Sequence, residues 1–84
     1  MDSLDVALYE NQGLKFAVLS VADSIIDDRN AVDNLVAEGV IRFNCPVVLV
    51  DAHRNRKHGR EELVSFLSYV NLGSLPWRRM DWSN

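Results

Sequence analysis

One run limits what this chain can fold into: Pro46-Val47-Val48-Leu49-Val50, ending on Asp51. β-branched and aliphatic residues occupy consecutive positions, with none of the alternation that marks a strand wetted on one face. A run of this kind fits a strand buried on both faces, as in sheets covered by helices. Pro46 forbids continuation of any preceding helix, and the charged stretch after Asp51 ends the run. The other elements can be placed relative to this strand.

Upstream, Val6-Ala7-Leu8-Tyr9 and Leu14 to Val21 are extended runs joined by Asn11-Gln12-Gly13, which predicts an antiparallel hairpin. Ser24, Asp27, Asp28 and Asn30 are all acceptable N-caps, each offering a side-chain oxygen to unpaired backbone N–H groups, and the helix is expected to start near Asp28. Val32, Leu35, Val36, Val40 and Phe43 then recur at helical spacing, so one stripe faces the sheet. Gly39 lies on that stripe, where close helix–sheet packing explains a residue that costs about 1 kcal/mol relative to alanine in a helix. Asn44 can end the helix in a left-handed conformation. Downstream, residues 52–60 show no apolar period and read as a loop. A second helix starts near Gly59 or Arg60, with Glu61 and Glu62 in its first turn and Leu63, Phe66, Leu67 and Val70 on its buried stripe.

The expected fold is a single small α/β domain over residues 1–84: a mixed three-stranded sheet, order β-β-α-β-α, with two packed helices. The second and third strands should run parallel. This arrangement leaves Val47–Val50 at a sheet edge, an aggregation hazard unless the tail, residues 74–84, or a second subunit covers it. A chain of 84 residues has a marginal core, and a single cysteine, Cys45, rules out an intrachain disulfide. Association is the usual remedy, so a homodimer is expected. The acidic opening, Met1-Asp2-Ser3-Leu4-Asp5, lacks the basic and then apolar regions of a signal peptide, and no apolar run approaches the length of a membrane helix. A cytoplasmic protein without membrane attachment is the expectation. Charge is uneven: residues 1–51 hold nine acids and three bases, residues 52–84 three acids and six bases. Either the halves attract one another or the basic side meets an anionic partner.

Three groups of residues carry chemical interest. Asp23 and Asp51 each follow a predicted strand and would emerge together at the carboxyl edge of a parallel pair, where open α/β sheets bind ligands. With Asp27 or Asp28 nearby they offer the oxygen ligands that Mg²⁺ takes, for chemistry on phosphate-containing ligands. Aspartate is also the ordinary capping and turning residue at such positions. Arg54, Arg56, Lys57 and Arg60, with His53 and His58, form a basic stretch that would attract phosphate. Its shortness and the acidic pI argue against a nucleic-acid face. Trp77, Arg78, Arg79 and Trp82 are residue types enriched at protein interfaces, and they equally suit closing a core. No metal-ligand spacing or nucleophile motif stands out, and no cofactor or resident metal is expected. The reading is a non-enzymatic, self-associating interaction module with a possible further protein partner; the alternative is a Mg²⁺-dependent enzyme or binding protein using Asp23, Asp51 and residues 53–60.

Overall fold

The computed structural model describes residues 3–53 and 55–82. The elements follow in the order β1 (Ser3–Asn11), β2 (Leu14–Val21), α1 (Asp23–Ile26), α2 (Arg29–Phe43), β3 (Val47–Asp51), β4 (Lys57–His58), α3 (Glu61–Leu67), a 3-10 turn (Leu72–Ser74) and β5 (Trp77–Asp81). The five strands form one sheet in the order β4-β3-β2-β1-β5. β2 and β3 are parallel, with Leu19 opposite Leu49, and the other neighbouring pairs are antiparallel.

Local chemistry accounts for the turns. Gln12 (φ 52°) and Gly13 (φ 85°) make the two-residue link between β1 and β2. Two successive positive φ angles match the right-handed twist of the strands they join. The Asp28 side chain caps α2 by accepting from the N–H groups of Asn30 (3.1 Å) and Ala31 (3.3 Å). Asn44 ends that helix at φ 54°, ψ 42°, the left-handed region where asparagine is tolerated.

The sheet is covered on both faces. On one side α1 and α2 pack over Val6, Ala17, Leu19, Val47 and Leu49. On the other, Leu63 and Leu67 of α3, with Leu72 and Leu75, cover Ala7, Phe16, Val18, Val48 and Val50. Tyr9, Phe16 and Phe66 meet there with ring centroids 5.2 to 6.1 Å apart. All five residues of β3 are buried, and Phe16 to Leu19 of β2 likewise. The mixed α/β class and the parallel β2–β3 pair therefore match the apolar run from which they were argued.

The sheet has five strands rather than three, and the two additions correct the expectation of an uncovered edge. β4 lies within residues 52–60, which read as loop. Its Lys57 and His58 pair with Val50 and Leu49. Backbone ladder bonds need no apolar side chain, so a polar two-residue strand satisfies the edge of β3 while presenting charge outward. The tail does not cover β3. Residues 77–81 pair instead with β1 on the far side of the sheet. α3 is also shorter than its apolar stripe, ending at Leu67, with Gly73 falling in the separate 3-10 turn.

Gly39 faces the sheet closely enough that an added Cβ would lie 2.8 Å from Val47 Cγ2. Valine is stiff at χ1 and cannot swing that methyl aside. Gly39→Ala is expected to lower Tm, because overpacking of about 1–3 kcal/mol exceeds a helix-propensity gain of about 1 kcal/mol. A thermal melt checks this; a higher Tm would mean that α2 can move away from β3 without cost.

Candidate functional site

Two regions gather the polar and exposed residues of interest. The first is the carboxyl end of the parallel pair. Asp51 closes β3 and is only 3% exposed. Its Oδ1 accepts from the backbone N–H groups of Asn55 (2.6 Å) and Arg56 (3.1 Å), while its own N–H donates to the Arg56 carbonyl (3.2 Å). These bonds shape the connection that lets β4 return alongside β3. Burial pushes the Asp51 carboxyl up; the backbone N–H donors of Arg56 and Asn55 and the charges of Arg56 and His53 outweigh it and hold it below the ordinary aspartate range.

Asp23 follows β2 as expected but is exposed and belongs to the first turn of α1. The Arg56 guanidinium lies 3.9 Å from Asp23 and hydrogen-bonds Asp27. Asp27 is the first cause of a raised Arg56 pKa, so this charge stays fixed. Arg56 thus ties the β3–β4 connection to α1, and the two aspartates at this edge hold different partners: backbone amides for Asp51, an arginine for Asp23. Among the described residues, no group of three or more His, Cys, Asp or Glu is placed to hold a metal ion.

The other basic residues are dispersed. Lys57 lies in β4, half-buried. Arg60 is exposed at the N-cap of α3, with its carbonyl accepting from Leu63 and Val64. Arg54 lies outside the described residues. Arg56 with Asp23 and Asp27, and Arg79 with Asp5, join bases of the C-terminal half to acids of the N-terminal half. This is the mutual attraction that the uneven charge suggested.

The second region is the β1–β5 side of the sheet. Trp82 is buried on the α2 face against Phe43, donates from Nε1 to Glu38 (2.9 Å) and carries the Arg42 guanidinium 4.2 Å over its ring. Trp77 is half-buried on the opposite face and donates to the Leu72 carbonyl (2.7 Å). The two tryptophans therefore anchor β5 to both cores. Arg78 and Arg79 are exposed on the strand between them. Arg79 Nε pairs with Asp5 at 3.1 Å, across the β1–β5 ladder.

Beside this strand lies an open groove of about 670 Å³, floored by Val6, Leu8 and Met80 and rimmed by Arg78, Arg79 and Asp81. Leu8 is 47% exposed there. Sequence reasoning places Val6 and Leu8 on a strand but does not bring them together with Met80. The signal for this grouping is alternation, since Leu4-Val6-Leu8 and Met80-Trp82 each share one face, and it extends the first strand upstream of the Val6 at which its apolar run begins. Among the described residues no helix is long and apolar enough to cross a membrane. Comparison with models of protein families, with curated proteins and with solved structures gives no match.

Asp51→Asn is expected to destabilise the fold at neutral pH, and Asp23→Asn far less, since an exposed pair at 3.9 Å contributes little. A carboxyl held below its unfolded value stabilises fully above the ordinary aspartate pKa, and that stabilisation is lost as pH falls through the folded value. The Asp51→Asn variant should therefore lose less Tm on acidification than the parent. Melts of all three chains at stepped pH check this; parallel acid limbs for Asp51→Asn and the parent would remove Asp51 from the linkage.

Proposed function

We propose that the chain is a non-enzymatic interaction module that self-associates, with the outer edge of β5 and the groove beside it as its working surface. The observation that carries this reading is the groove itself. Leu8 is exposed and Met80 part-exposed over the buried Val6, next to a strand whose outer side no described strand pairs. Water is a poor solvent for that surface, and burying it against a second chain is favourable in proportion to the apolar area removed. The opposite edge of the sheet differs: β4 is two residues long and polar. Short charged edges resist strand addition, whereas a five-residue edge beside apolar surface invites it. The arrangement at the carboxyl edge supports the same reading from the other side, since Asp51 is engaged in shaping a turn and Asp23 and Asp27 in holding Arg56.

The test is oligomeric state. Sedimentation velocity at micromolar concentration should show a species of twice the 9.5 kDa chain mass. Leu8→Lys puts a charge into the groove at a position already half in water, so the fold should survive while the dimer dissociates. A parent chain that stays monomeric up to about 100 μM, a concentration at which even weak specific contacts register, would remove the proposal.

A further inference from the structure

We infer that the partner of β5 is β5 of a second copy, paired antiparallel about a two-fold axis through Met80, and that the Arg79–Asp81 pair across the axis selects this register. The inference rests on the self-association proposed above and adds which strands meet and what holds them in place.

The argument begins with symmetry. A homodimer formed at a sheet edge is isologous: the same strand meets itself antiparallel, about an axis normal to the sheet. Residues directly opposite one another must share a face, so the axis passes through a residue position, never between two. β5 reads Trp77-Arg78-Arg79-Met80-Asp81, which allows few choices. An axis through Trp77 sets Arg78 opposite Pro76, which has no N–H for a ladder, and pairs neither arginine with an acid. An axis through Arg78 or Arg79 sets that arginine against its own copy, and an axis through Asp81 sets two carboxylates together. Like charges directly opposite are destabilising. An axis through Met80 places methionine against methionine. Arg79 of each chain then faces Asp81 of the other, twice.

The surroundings suit this register. Met80 lies on the same face as Val6, its diagonal neighbour across the β1–β5 ladder, and both line the groove. Two grooves joined at Met80 bring their apolar side chains together on one face of the sheet, and the Arg79–Asp81 pairs lie on the other face, so packing and charge act on opposite sides of the joined strands. Arg79 already holds Asp5 through Nε (3.1 Å) and lies 3.4 Å from Ser3 Oγ through Nη1. A guanidinium carries five donors in a planar fork, so it can serve a second carboxylate on its other side. Asp81 is exposed, and its carbonyl accepts from Arg42 at 2.7 Å. A carboxylate accepts from several donors, so Asp81 can keep its existing interactions and take one more. The product is a continuous sheet with five strands from each copy.

The charge pattern supplies a test that separates register from self-association. Arg79→Asp alone sets carboxylates opposite each other, and Asp81→Arg alone sets guanidinium groups opposite each other; each should weaken the dimer roughly tenfold or more, two reversed pairs each counting for part of that. An equimolar mixture of the two variants restores both cross-strand pairs and should form a heterodimer of parental affinity by sedimentation velocity. Far-UV circular dichroism checks that each variant is folded. Met80→Cys gives a readout that needs no charge reversal. Facing residues on an antiparallel pair have Cα atoms about 4.5–5.5 Å apart, within the disulfide range. Mild oxidation should therefore link two Met80→Cys chains and leave Arg78→Cys chains unlinked; the native Cys45 is buried and does not compete. A parent dimer that dissociates with Leu8→Lys, ignores both charge reversals and does not cross-link through Met80→Cys overturns this register and leaves self-association standing. A monomeric parent overturns both.

Discussion

The structure depends on one constraint: two adjacent parallel strands, Phe16 to Leu19 within β2 and Val47 to Asp51 in β3, have no wet face. Once such a pair forms, each side needs an apolar cover. α2 supplies one through Val32 and Leu35, and α3 supplies the other through Leu63 and Leu67. A parallel pair also needs a crossover, which α1 and α2 provide. The close seat of Gly39 on Val47 follows from the same demand, since a helix laid over a strand of valines must approach it closely.

The buried pair explains what the neighbouring polar residues do. β3 ends on an aspartate that cannot reach water, and a buried carboxylate is tolerated only when hydrogen-bonded. The backbone N–H groups of Asn55 and Arg56 meet that requirement, and in doing so turn the chain back so that Lys57 and His58 satisfy the open edge of β3. Arg56 then reaches α1 through Asp27 and Asp23. A single side chain at the strand end thus links edge protection, loop shape and helix position.

The elements legible in the sequence were those whose signal is local. The valine run, the hairpin with Gly13, the cap at Asp28 and the stop at Asn44 each rest on residues within a few positions of one another, and each stands where expected. What escaped depends on distant partners. β4 forms because Leu49 and Val50 need backbone partners, and nothing in the side chains of Lys57 and His58 records this. β5 forms because β1 has an open side, and Trp77 and Trp82 hold it there from opposite faces. The candidate site divides the same way. Reading Asp23 and Asp51 as residues at strand ends placed both near the right edge. Their different roles turn on burial and on Arg56, which lies in a stretch that read as unstructured.

The two ends of the sheet show how the edge problem is handled unequally. At β4, brevity and polarity suffice, and the strand beyond β3 offers little for another chain to extend. At β5 the strand is longer, and its two arginines stand beside the exposed Leu8 and the part-buried Met80, while α2 reaches only the end of the strand, through Arg42 on Asp81 and Phe43 and Glu38 on Trp82. Arginine on an edge ordinarily repels further pairing. Here Asp81 follows two positions after Arg79 on the same face, so among the two-fold registers only the one centred on Met80 sets each arginine of that face against an acid. An edge protected against most pairings and open to a single self-complementary one behaves as a specific surface, because the charges that disfavour slipped pairings are those that favour the matched one.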